Sequence, residues 1–312
     1  MENELIGTLT VLFAASIRMA TPLTLAGLGE TFSEKSGILN IGLEGIMLSG
    51  AFFSFISAYY TQSIFLGVIG GCLGGVFISM IHGYVSIRLN MDQTIAGLAL
   101  NFLALGLTSF FFLMAFGKTT ELPECPVVSQ LAIPLLSDIP VIGPALFNQD
   151  PFVYLTFILV AASYVILHKT EWGVNIQATG EHPKAADAAG IDVFKIRYRA
   201  VFLNGLFGGL AGSYLTLALL GFFMENITSG KGYIALVVVI LGRRHPVGVL
   251  LAAIVVGAAD ALQFRLQTMG AGIPSQVFNM FPYVITVVVL FFSIGKNRTP
   301  AALGEPYIRS MR

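Results

Sequence analysis

The sequence predicts an all-α, polytopic transmembrane helix bundle. Three observations carry that fold class. Hydrophobic residues make up 55% of the chain and charged residues only 11%, whereas a soluble domain holds about 25% charged residues. Mean hydropathy is +0.81. Apolar runs near the roughly 20 residues needed to cross a bilayer recur along the whole chain.

The same composition excludes several function classes. The formal net charge is zero, and no basic face for nucleic acid is apparent. No GxxxxGK[ST] is present, so the chain has no P-loop of its own. No HExxH or clustered Cys/His pattern suggests a metal site, and no catalytic constellation stands out. The acidic start MENEL lacks the basic n-region of a cleaved signal peptide, so the first apolar run is expected to remain as a span.

Taken in order, spans are expected near residues 5–28, 39–60, 64–87, 94–116, 152–167, 198–220, 232–242, 247–266 and 277–294. That makes about eight to ten, the seventh being too short to cross alone. Nine crossings place Lys35, Arg88, Arg243, Arg244, Lys296, Arg298, Arg309 and Arg312 on the same side as the polar run 168–199. They leave Lys118, Lys231 and Arg265 on the other, and positive charge marks the cytoplasmic side. The organisation is a single domain, 1–312. It has an extracytoplasmic loop at 118–150, a cytoplasmic loop at 169–197 and a cytoplasmic tail at 296–312.

Glycines at four-residue spacing flatten one face of two spans, Gly67–Gly71–Gly75 and Gly205–Gly209 with Gly208 and Gly212. Such faces let backbones approach closely, within the chain or between subunits. In the cytoplasmic run, Gly180-Glu181-His182-Pro183 reads as a turn into a helix of about two turns. Pro183 takes a first helical position, Ala185, Ala186, Ala188 and Ala189 propagate it, and Gly190 stops it. A short, small-faced helix between two spans suits a partner's groove. It reads equally as an ordinary structured loop.

Arg18, Asn40, Glu44, Asn101, Asn204, Glu225 and Asp260 lie in or near spans, where polar groups usually face a partner or a wet cavity. Gly37, Gly42 and Gly45 interrupt the helix around Asn40 and Glu44, and broken backbone is tolerated only when buried or lining a cavity. Arg18 and Glu44 are candidates for an intramembrane ion pair, with solute contact as the other reading. The stretch ETFSEKSG with the broken second span, and ENITSGKG with the short seventh, sit at matching places in the two halves. That pattern points to an inverted-topology repeat and a transport path.

Several segments carry a resemblance: IRMATPLTLAGLGE from Ile17, EKSGILNIGLEGIMLSGAF from Glu34, TIAGLALN from Thr94, NIQATGEHPKAADAAGI from Asn175, GYIALVVVILGRRHPVG from Gly232, and GEPYIRS in the tail. Together they resemble the membrane permease subunits of bacterial ABC importers of the branched-chain amino acid and simple-sugar type, nearest to the nucleoside branch. The resemblance implies the type II ABC importer permease fold and a bacterial cell-membrane location. It implies a coupling loop over 179–191, with Gly180, Glu181, Pro183, Ala186, Ala189 and Gly190 docking on an ATPase subunit. Asn40, Glu44 and Asn101 would then line or abut the translocation pathway. The implied partners are that ATPase, a second homologous permease forming a heterodimer, a substrate-binding lipoprotein and the lipid bilayer. No cofactor is expected on this chain, because ATP belongs to the partner. A simple sugar or branched-chain amino acid is the alternative solute. An ion-coupled secondary transporter using Arg18, Glu44 and Asp260 is the rival from another class.

Overall fold

The computed structural model describes residues 2–117, 122–134, 137, 139, 142–268, 275–293 and 299–309. Lys118, Lys296, Arg298 and Arg312, named above for the charge asymmetry, lie outside them. The long helices are α1 (Glu2–Lys35), α2 (Leu43–Thr61), α3 (Ile64–Ile87), α4 (Gln93–Phe116), α6 (Pro151–Lys169), α9 (Val193–Tyr214) and α11 (Pro246–Thr268). Between α4 and α6 the chain forms β1 (Leu131–Ala132), α5 (Ile142–Phe147) and β2 (Asn148–Gln149), with β1 and β2 antiparallel. On the other side of α6 come α7 (Glu171–Glu181) and α8 (Pro183–Ala188). A π-helical turn (Leu215–Leu220) extends α9. Then follow α10 (Lys231–Leu241) and, after α11, α12 (Ser275–Asn279) and α13 (Phe281–Ser293). Six helices are long and apolar enough to cross a membrane, and α2 and the shorter apolar α10 are packed among them.

Starts and stops follow local chemistry. Asp150 accepts from the N–H groups of Phe152 and Val153 at the start of α6, with Pro151 at its first position. Asp92 accepts from Ile95 N–H at the start of α4, and Asp192 from Lys195 N–H at the start of α9. Several spans differ from expectation, and one of them, α9, simply starts earlier, at Val193 rather than at residue 198. α1 runs seven residues past Leu28 to Lys35, because Glu30 and Glu34 find partners inside the protein. The second span starts at Leu43 rather than at residue 39, because residues 36–42 are non-helical.

The two halves are paired alike. α3 packs on α9 as α11 packs on α1, α2 touches α9 as α10 touches α1, and α4 lies on α2 as α13 lies on α10. α1 and α9 are antiparallel. Ser36 meets Arg197, and six residues earlier on α1, Glu30 meets Asn204, seven residues later on α9. The two four-helix units, α1–α4 and α9, α10, α11 and α13, therefore start in opposite directions, which is the inverted repeat. The glycine stripes serve this internal packing. A Cβ on Gly50 would lie 2.6 Å from the Gly209 Cα, and one on Gly209 would run into the Gly71 carbonyl. α2, α3 and α9 thus meet backbone to backbone.

One end of the bundle gathers the charges. Glu34 pairs with Arg244, and Arg197 donates to the Ser36 and Glu305 carbonyls. Asp187 pairs with Arg309. Lys35, α7, α8 and the tail 299–309 share that end. It is the end that the charge asymmetry of the sequence leads one to expect on the cytoplasmic side.

Candidate functional site

Two breaks in the helices are brought together in the middle of the bundle. After Lys35 the chain turns at Gly37 (φ +89°) and runs back between the helices. Leu39 N–H donates to Gln93 at the start of α4, and Gly45 N–H donates to Asn101. From Gln93 to Asn101 is eight residues, or about 12 Å along a helix. The N-terminus of α2 therefore sits well inside the bundle. The loop before α10 comes down to meet it.

Glu44 makes the junction. Its Oε1 accepts from the Thr228 hydroxyl at 2.5 Å and from Gly230 N–H at 2.8 Å, and its Oε2 accepts from Gly232 N–H at 2.6 Å. A carboxylate there satisfies the orphan N–H groups of α10 and favours its dipole. Position 232 is glycine because a Cβ would run into the Glu44 backbone. Asn101 ties the same place from α4. Its Oδ1 accepts from Gly45 N–H at 2.8 Å, and its Nδ2 donates to the Ile41 carbonyl and the Tyr233 hydroxyl, both at 2.9 Å. Asn40 Oδ1 accepts from Gly42 N–H at 2.9 Å, while its own N–H donates to Glu30 at 2.9 Å. Glu30 in turn accepts from Asn204 Nδ2 at 2.5 Å.

The three predicted polar residues thus do converge, and all are buried, Glu44 and Asn101 at 7% exposure and Asn40 at 0%. Their bonds go mainly to backbone, so they brace broken segments rather than present a polar face. The predicted Arg18–Glu44 pair is not formed. Both Glu44 oxygens are occupied by the α10 region, while Arg18 lies in electrostatic range of Tyr214.

At the charged end, α7 and α8 form a platform. Gly180 and Glu181 belong to the last turn of α7 rather than to a turn outside it, and His182 separates the two helices. Gly180 is buried, and a Cβ there would run into the Lys35 carbonyl; its own carbonyl accepts from Ala302 N–H at 2.9 Å. Ala186 is also buried, in a small cluster with Val193 and Tyr307. These two predicted docking residues therefore face inward, because α8 must pack on something. Glu181, Ala189 and Gly190 are exposed and Pro183 half-buried, joined on the outer face by Lys184, Ala185 and Ala188. Trp172 stacks on Phe32 with ring centres 5.9 Å apart, tying α7 to α1. Asp192, at the root of α9, is held below the usual carboxylate range chiefly by the Lys195 N–H.

The tail straps this platform to the junction. Ala301 N–H donates to Glu181 at 3.2 Å, Gly304 N–H to the Gly37 carbonyl at 3.1 Å, and Arg309 forks onto Asp187 at 2.7 and 3.1 Å. Residues 180, 302 and 37 thus form one continuous contact leading to the broken segment before Glu44.

Residues 12–290 match the family model described as branched-chain amino acid transport system / permease component. The chain belongs to this family. It is 39% identical to the guanosine ABC transporter permease protein NupQ of Bacillus subtilis, over 99% of this chain and 100% of that one. It is 34% identical to the nucleoside ABC transporter permease protein NupC of Lactococcus lactis, over 98% and 99%. A solved structure described as an inward-facing conformation of a metal-chelate type ABC transporter shares the fold. Its TM-score is 0.52 at 16% identity, over 91% of this chain and 85% of that one. The protein is a multi-pass ABC transporter permease subunit.

Several residues that organise this permease were not legible as such. Glu30, Glu34 and Arg244 form a buried polar set beside the junction. Their one sequence signal is two carboxylates four residues apart at the end of a span. Thr228 and Tyr233 carry no signal without their partners. Asp260 is 6% exposed and faces Lys231 at 3.8 Å, a partner that sequence spacing does not suggest.

Proposed function

We propose that this permease imports a nucleoside across a bacterial cell membrane by ATP-driven alternating access. The carrying observation is the near full-length likeness to permeases of guanosine and nucleoside transporters. ATP is hydrolysed on a separate ATPase subunit, which docks on the outer face of the α7–α8 platform at Glu181, Pro183, Ala189 and Gly190. A substrate-binding lipoprotein delivers the solute, and a second, homologous permease forms the other half of the path. The geometry is suited to this division of labour. A push on α8 passes through Gly180 and the tail to Gly37, and from there along residues 38–42 to the Glu44 junction. Asn40, Glu44 and Asn101 hold the two half-broken segments whose relative movement opens the path to one side or the other.

The test is uptake of labelled guanosine, glucose and leucine by the reconstituted importer, with ATP inside and no ion gradient. Guanosine uptake that disappears when the ATPase subunit cannot hydrolyse ATP supports the reading. Uptake of glucose or leucine alone moves the solute to the sugar or amino acid class. Uptake that instead follows an imposed ion gradient, with ATP irrelevant, overturns it.

A further inference from the structure

A cavity of about 480 Å³ opens beside the junction, in the half of the bundle away from the platform. Met19 lines it, sixteen residues or about 24 Å along α1 from Lys35. Its volume falls in the range of roughly 300–1,000 Å³ found for small-molecule sites. The wall is mixed in a specific way. Met224, Phe264 and Tyr283 provide apolar and aromatic surface, and Asp260 and Lys231 place opposite charges in it.

The charged pair is the informative feature. Asp260 lies fourteen residues into α11, deep in a span, where an ionisable group is costly and usually has a task. The Asp260–Lys231 separation is 3.8 Å. That is an ion pair but too long for a hydrogen bond, so both heads keep donor and acceptor capacity toward the cavity. Lys231 is not placed by chance. It stands between Gly230 and Gly232, whose N–H groups are both held by Glu44. The junction therefore fixes one wall of the cavity. Tyr283 is tied to that same wall, its hydroxyl donating to the Ser229 carbonyl at 3.3 Å.

We propose that this cavity is the solute chamber of the permease, with Asp260 as the group that reads a vicinal diol. This rests on the nucleoside reading and names its site. The carboxylate accepts from the two ribose hydroxyls, Lys231 donates to an acceptor on the solute, and the flat base lies against Phe264 and Tyr283. A carboxylate is suited to two adjacent hydroxyl donors, and a site built for such donors rejects analogues lacking them.

The experiment uses the whole importer in proteoliposomes and compares guanosine with 2′,3′-dideoxyguanosine. The lipoprotein is the same for wild type and variant, so its own preference cancels. In Asp260→Asn the guanosine-to-dideoxyguanosine uptake ratio is expected to fall at least about fivefold, with guanosine slowed more than the analogue. A ratio unchanged within about twofold, with uptake retained, overturns the chamber. Should the variant fail to assemble, photolabelling of the wild-type importer with 8-azidoguanosine decides. Adducts within 215–234, 260–268 or 281–291 support the site, and adducts confined to other segments overturn it. A wild type that takes up no nucleoside removes the underlying reading as well, an outcome distinct from an unchanged ratio.

Discussion

The junction at Glu44 and the platform at α7–α8 are both breaks between helices marked by glycine, yet they end differently. At the junction both oxygens of Glu44 and every polar atom of the Asn101 amide are spent inside the protein. At the platform only one side is spent. Gly180 and Ala186 face inward, while Ala185, Ala188, Ala189 and Gly190 remain exposed. The difference follows from the solvent. Within lipid, irregular backbone is tolerable only when the protein itself satisfies it. At an exposed surface water can do so. The first break is therefore closed by the protein itself, while the second keeps an open face.

If so, damage at the junction should exceed damage at the platform. Glu44→Ala strips the acceptors from the Thr228 hydroxyl and from two backbone N–H groups in a buried site. A loss of about 3–5 kcal/mol is expected, seen as a collapse in the yield of folded, detergent-stable permease. Near wild-type yield would erase the contrast. Tyr307→Ala empties the small cluster with Ala186 and Val193 and should cost about 2 kcal/mol, releasing the tail to proteolysis after residue 299. Gly180→Val should cost about 1–3 kcal/mol by overpacking against the Lys35 carbonyl. It should also lower uptake per folded transporter, read as transport normalised to ATP hydrolysed. Arg309→Ala is the mildest. Its arginine is 63% exposed, so about 0.5 kcal/mol is expected, within error of wild type in a melting experiment.

Long apolar stretches were the easiest to read. The spans expected at 64–87, 94–116 and 247–266 are α3, α4 and α11 to within two residues, because lipid imposes length and composition with few exceptions. The polar end of α1 was missed because TFSEK looks like a loop until Asn40, Asn204 and Arg244 are placed around Glu30 and Glu34. That information is tertiary. Asn40, Glu44 and Asn101 were singled out from the sequence and lie near one another in the structure, but Glu44 bonds to the 228–232 region rather than to Arg18. Three donors from the 228–232 region leave no local trace, whereas an arginine in a span is conspicuous. The tail's grip on Gly37, Gly180 and Asp187 was likewise invisible, since a basic, proline-bearing end reads the same whether it is packed or free.

The most direct measurement asks whether the exposed face of α8 is the one covered by the ATPase. Ala188→Cys and Ala189→Cys, each on an exposed alanine, can be labelled with a maleimide in the permease alone and in the full importer; native Cys125 is buried and Cys72 only partly exposed. The account predicts rapid labelling of both positions without the ATPase and at least about tenfold slower labelling with it. Equal rates in the two preparations would contradict it.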